Sequence, residues 1–236
     1  MNAPVTETTQ PVLPTGAMIR TLGLVSAICG LIIVGAYQGT FSAVQANKRL
    51  ATERAVFKVV PAAKSIGEFV ATSSGSIEPL KAGTEPPSGT VKFYAGYDAA
   101  GQLVGIAAEG GAKGYADTVR LMFGYSPACQ CINGLGIVSS RETPGIGDKV
   151  DSSKPNVDKA FMENFVALDA KLNAEMKALA NEIKAVKHGT KTNPWQIDAI
   201  AGATITSRAV GNGINAAAQD LLPKLVPNLD KVRTKP

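Results

Sequence analysis

The sequence predicts an α+β protein: one transmembrane helix, then a domain with a mixed or antiparallel twisted sheet flanked by helices. Three patterns predict it. Thr21 to Phe41 forms an uncharged run. Between Val91 and Ser139, short stretches of alternating apolar residues are separated by glycine-marked turns, as hairpins require. Beyond Asn156 the apolar spacing changes to three and four, the period of a helix face.

The run TLGLVSAICGLIIVGAYQGTF would span about 30 Å as a helix, the thickness of a bilayer's hydrocarbon core. Tyr37 and Phe41 would lie near one interface. The run starts late and lacks a small-residue cleavage site, which disfavours a signal peptide. Cys29 inside it reads as a small apolar residue. The expected organisation is a short N-terminal segment (1–20), the transmembrane helix (21–41), an amphipathic helix and linker (42–90), a cofactor-binding domain (91–223) and a basic tail (224–236) read as solvated. In the linker, SAVQANKRLATERAVFKVV reads as a helix stopped by Pro61, and 72–90, rich in Ser, Gly, Pro and Thr, reads as loop.

Strands are expected at Val91–Ala95, Leu103–Ala108, Thr118–Phe123 and Leu135–Ser139, with a bend at Gly110, Gly111 and Gly114. Phe161, Phe165, Leu168, Leu172, Met176, Leu179, Ile183 and Val186 then predict a long helix closed by Gly189. A second helix is expected over Thr206–Leu222, capped by Thr206 or Ser207.

The 236 residues suffice for one domain with a real core plus an appendage. Charged residues at 18% and hydrophobic ones at 45% exclude a disordered chain. The net charge of +5 is dispersed, which argues against nucleic acid as a partner. A single histidine, His188, excludes a multi-histidine metal site built from this chain alone. Three cysteines do not make a disulfide framework. Cys129 and Cys131 flank one residue, so on an extended chain their sulfurs face the same side, and a bond between them would be strained. They could supply half of a metal or iron–sulfur site completed by a partner protein; two ordinary loop cysteines is the favoured reading.

No phosphate-binding glycine loop is present, and Gly134-Leu-Gly136 lacks both the third glycine and the following helix of a dinucleotide fingerprint. No general acid–base or nucleophile constellation is visible, so no catalytic residue is assigned and independent turnover is not expected. Two segments carry the chemistry: Asp198-Ala-Ile-Ala-Gly-Ala-Thr204, just before a helix, and Glu142-Thr-Pro-Gly-Ile-Gly147. In the second, Pro144 and Gly145 suit the two central positions of a type II turn.

Both segments, in this order behind one N-terminal helix, resemble the G subunit of the Rnf ion-translocating electron-transport complex, a family related to the C subunit of the sodium-pumping NADH:quinone oxidoreductase. The resemblance covers most of 20–222. It implies FMN joined covalently to Thr204 by a flavin transferase that uses FAD and Mg²⁺ and recognises a D-x-x-[ST]-G-A-T motif. Asp198, Gly202 and Ala203 match that motif, while Ala201 replaces its Ser or Thr. It also implies that Glu142, Thr143, Pro144 and Gly145 form a loop beside the flavin. Thr206 is the secondary acceptor candidate. A phosphoester on Thr204 would face the free N–H groups and positive end of the following helix.

The implied function is electron transfer in a membrane translocase coupling ferredoxin and NAD to ion movement. Its partners would be membrane and iron–sulfur subunits, membrane lipid and, during maturation, the flavin transferase. The alternatives are the C subunit of the quinone oxidoreductase and an anchored assembly module without flavin. The resemblance places the chain in the bacterial inner membrane, single-pass, with the flavin domain on the periplasmic side. The local charge bias, Arg20 before the helix against Lys48, Arg49, Arg54 and Lys58 after it, argues for the opposite orientation.

Overall fold

The computed structural model describes residues 15–81 and 84–235, so most of the expected N-terminal segment, residues 1–14, lies outside the described residues. The chain divides into two units, one ending at Lys48 and one beginning at Arg49.

The first unit is helical, the larger part of α1 (Thr15–Val59). Its described residues are all exposed, including Leu22, Ile28, Leu31, Ile32 and Ile33. α1 is long and apolar enough to cross a membrane, and its apolar stretch is wholly unburied. Its hydroxyls are satisfied within the helix: Thr21 Oγ1 donates to Ala17 O (2.8 Å) and Thr40 Oγ1 to Ala36 O (2.7 Å). Such back-bonding hides polar groups that lipid cannot solvate.

The second unit is built on a seven-stranded antiparallel sheet: β1 (Ser65–Ala71), β2 (Ile77–Pro79), β3 (Val91–Tyr97), β4 (Leu103–Lys113), β5 (Thr118–Ser126), β6 (Cys131–Ser139) and β7 (Leu168–Asp169), in the spatial order β2-β1-β3-β4-β5-β6-β7. The four strands expected from alternation are present. β1 and β2 fall within the expected linker, because Ser65–Ala71 carries only a short apolar pattern and its pairing with β3 comes from across the fold. Gly110 and Gly111 do not bend the chain. They lie inside β4, where helix α3 (Thr204–Leu225) approaches so closely that a Cβ on Gly110 would sit 2.5 Å from Gly213 O.

The alternation sorts the strands into two faces. Phe93, Ala95, Ile106, Ala108, Leu121 and Phe123 pack with Val210, Ile214 and Leu221 of α3. Tyr94, Ala107 and Met122 point the other way and pack with Val56 and Val59 of α1 and with Val60 and Ala63. Glycines make that second contact possible. A Cβ on Gly124 would lie 2.2 Å from Val59 O, whereas one on Gly136 would make ordinary contact at 3.4 Å. Gly124→Ala is therefore expected to cost about 3 kcal/mol and lower Tm by roughly 6–12 °C. Gly136→Ala should leave Tm nearly unchanged. Thermal unfolding of the two variants checks this, and equal midpoints would refute the close packing.

The long helix expected from Asn156 to Gly189 does not form. Only α2 (Lys159–Glu163) is helical, capped by Asp158, whose carboxylate accepts from Phe161 N–H. Leu168 instead pairs with Ile132 of β6. Leu179 N–H and Ile183 N–H donate to the Gln219 and Asn215 side chains of α3 at 3.0 and 2.9 Å. Asn173 folds a turn by accepting from Lys177 and Ala178 N–H. Leu168, Leu179 and Ile183 are core residues, but side-chain partners from α3 and a strand neighbour replace the helical backbone bonds. β8 (Lys184–Val186) and β9 (Gln196–Asp198) follow as a parallel pair. The C-terminal segment is not a solvated tail: Val232 is fully buried and Thr234 bridges Gln102.

Candidate functional site

The two motif segments and the Gly114–Asp117 turn meet at one carboxylate. Glu142 is buried, and its Oε1 accepts from the N–H groups of Ala116 (3.0 Å) and Asp117 (3.3 Å). Its Oε2 accepts from Tyr115 N–H (3.2 Å) and from the Thr206 hydroxyl. Burial alone would push this carboxyl up. The Thr206 hydroxyl and the three backbone N–H groups outweigh it and hold the group below its ordinary value, so it is ionised at neutral pH.

Two glycines give Glu142 its room. A Cβ on Gly114 would lie 2.5 Å from Glu142 Oε1, and one on Gly147 would lie 2.8 Å from Glu142 Cβ and 2.9 Å from Thr206 Oγ1. The second glycine of E-T-P-G-I-G is thus a packing requirement set by the glutamate. The first is a turn requirement: Gly145 has φ +78°, and Ile146 N–H donates to Thr143 O (3.1 Å), as the expected type II turn demands.

Gly202 repeats that geometry with φ +81° and an Ala203 N–H to Ile200 O bond of 3.0 Å. Ser207 Oγ fixes this turn by accepting from Ile200 N–H (3.0 Å) and donating to Ala203 O (2.9 Å). α3 begins at Thr204, two residues before the expected start. Its N-cap, Ala203, offers no side-chain acceptor, so the first N–H groups lack a side-chain cap.

The hydroxyls of this turn are unequal. Those of Thr206 and Ser207 are buried and bonded. Thr204 is half-buried, lines a cavity, and makes no side-chain hydrogen bond among the described residues. That cavity, about 530 Å³, is lined by Glu142, Thr143, Gly202, Ala203 and Thr204 from the predicted set, and by Tyr115, Ile146, Gly147, Ile205 and Thr206. Pro144 and Gly145 shape its rim turn and are not among its lining residues. The sequence does not assign Tyr115 or Ile205 to the site, although Lys113-Gly114-Tyr115 precedes the hairpin in the order the resemblance implies and Ile205 lies within the G-A-T-I-T run.

Asp198 lies apart. Its carboxylate accepts from Gly189 N–H (2.7 Å) and is 3.6 Å from His188 Nδ1. The buried Asn164 holds its backbone, accepting from Asp198 N–H (2.9 Å) and donating to Asp198 O (3.3 Å). Asp198 therefore anchors the segment entering the G-A-T turn and is not among the residues lining the cavity.

Cys129 and Cys131 are joined in a disulfide. The expected extended geometry fails because Gln130 takes a left-handed φ of +52°, folding the hairpin back on itself. The bond occupies both thiolates that a metal site would need. It lies at the Ser126 end of β5, while the Tyr115 turn precedes the Thr118 end; a strand of that length puts roughly 26 Å between them.

Comparison with known proteins identifies this region. An FMN-binding domain model matches residues 114–219, which include every cavity residue. The chain is 32% identical to the G subunit of the Na⁺-translocating ferredoxin:NAD⁺ oxidoreductase complex of Acetobacterium woodii, over 64% of this chain and 66% of that protein. It is 24% identical to the G subunit of the ion-translocating oxidoreductase complex of Methanosarcina acetivorans, over 85% of this chain and 90% of that one. The fold matches NqrC of Shewanella oneidensis, with a TM-score of 0.63 at 18% identity over 79% of this chain and 99% of that one.

The cavity fits the cofactor named by the domain. Its volume lies in the range of small-molecule sites, its lining includes bare apolar side chains that a flat ring would cover, and the start of α3 offers N–H groups to a phosphate. The chain thus carries an FMN-binding domain that spans the site, and it is similar over most of its length to G subunits of ion-translocating oxidoreductase complexes.

Proposed function

We propose that this chain carries FMN covalently on Thr204 and passes electrons within a membrane complex that couples ferredoxin and NAD to ion movement. The observation that carries the reading is the Thr204 hydroxyl, which lines the cavity with no side-chain bond among the described residues while its neighbours' hydroxyls are engaged. A flavin transferase with FAD and Mg²⁺ would join Thr204 Oγ1 to the FMN phosphorus. The pyrophosphate bond to AMP breaks, AMP leaves, and the hydroxyl proton is released.

When bound, FMN supplies one- and two-electron redox chemistry. The chain's residues hold and shield it. The N–H groups at the start of α3, which lack a side-chain cap, would face the phosphodiester charge. Tyr115, Ile146 and Ile205 line the cavity and would shield the bound ring from water. Glu142 is engaged with the protein itself and fixes the walls relative to one another.

The test is the intact mass of the full-length protein made beside its flavin transferase, with ultraviolet fluorescence of the denatured band. A mass increment of one FMN less one water, as esterification requires, is expected. Its absence would leave an assembly module without covalent flavin.

The same reading puts the flavin domain outside the cytoplasm. The Cys129–Cys131 disulfide supports this, since such bonds persist in oxidising compartments. The basic residues after the helix argue the other way, but partner helices can fix the topology of a single anchor. Protease added to spheroplasts should digest the domain. Digestion only after lysis would refute the orientation.

A further inference from the structure

We propose that Tyr115 is the aromatic wall against which the isoalloxazine ring packs. The inference rests on the reading that this cavity takes FMN. Among the described residues, Tyr115 is the only aromatic one lining the cavity, and it is 69% exposed. Its backbone is nevertheless fixed: its own N–H and the next two all donate to Glu142, and Gly114 N–H closes the turn onto Asp117 O at 2.8 Å. What marks the site is not exposure alone but a fixed backbone that presents this ring into the same cavity as two further exposed apolar side chains, so that together they form one apolar wall.

Two further apolar side chains line the same cavity, Ile146 at 49% and Ile205 at 50% exposure. Ile205 follows the proposed attachment residue directly, so a ring tethered at Thr204 stays within reach of both. The three come from the Gly114 turn, the E-T-P-G loop and α3. The carboxylate that ties those segments together thereby aligns the platform with the tether. A planar, apolar, π-rich ring is the ligand class such walls take.

An electron-rich phenol in contact with a flavin quenches its fluorescence, by an electron passing to the excited ring and returning. The experiment uses full-length protein in detergent, loaded by its transferase, with Tyr115→Phe, Tyr115→Trp and Tyr115→Ala. Flavin content is measured by mass, excited-state lifetime by time-resolved fluorescence, and ring exposure by iodide quenching. A side chain this exposed should not affect Tm. The expected result is a short lifetime in the unsubstituted protein and in Tyr115→Trp. Tyr115→Phe should lengthen it severalfold while keeping iodide out, and Tyr115→Ala should lengthen it and admit iodide. Flavin present with one lifetime across all four proteins would overturn the role of Tyr115 and leave the FMN reading standing. No flavin in the unsubstituted protein would overturn both.

Discussion

Thr204→Ala protein, produced beside the flavin transferase, is expected to carry no covalent flavin. The effect is all or none because the substitution deletes the atom that forms the bond. Neighbouring hydroxyls cannot replace it: Thr206 is 2% exposed and donates to Glu142, and Ser207 is fully buried with its oxygen holding the Ile200–Ala203 turn. The fold should persist, since the Thr204 side chain makes no hydrogen bond among the described residues. The checks are intact mass and band fluorescence after denaturation, with Thr206→Val as comparison. Thr206→Val should keep its flavin. Flavin retained in Thr204→Ala, with the modified peptide mapped to Thr206, would refute the assignment.

Glu142→Ala should destabilise the protein by about 3–5 kcal/mol and lower Tm by roughly 6–20 °C. Three backbone N–H groups and one hydroxyl lose their acceptor together. Water entering from the cavity would recover part of the loss, which keeps the figure below the sum of four fully buried orphans. Glu142→Gln should fall between, because an amide offers one acceptor oxygen and sets an NH₂ against the remaining donors.

The pH dependence has a definite sign. The folded-state pKa of Glu142 is lowered from 4.5, so its contribution is fully present above that value and is lost as pH falls through the folded pKa. The Tm gap between the unsubstituted protein and Glu142→Gln should therefore be constant near neutrality and shrink below pH 4.5. A gap unchanged down to the acid limit, or no gap at about pH 7, would refute the role of the ionised carboxylate.

The long apolar helix, the central hairpins, the type II turn at Pro144-Gly145 and the helix starting beside Thr204 were all legible in the sequence. Each rests on local rules: a charge-free run, period-two alternation, a turn's demand for positive φ, and a short motif before a helix. These properties belong to a few consecutive residues and survive without knowledge of the fold.

Other features were decided between distant segments. Leu168, Leu179 and Ile183 keep helical spacing, yet their backbones are bonded to β6 and to side chains of α3. Gly110 looks like a bend until Gly213 arrives beside it. Cys129 and Cys131 meet because Gln130 turns left-handed within a hairpin. Most of all, the sequence determined that Glu142, Gly114, Gly147 and Thr206 stand near motifs, while only the tertiary structure made them one site. A buried carboxylate needs donors around it, and the chain supplies them from the Gly114 turn and from α3, brought together by packing that no local pattern records.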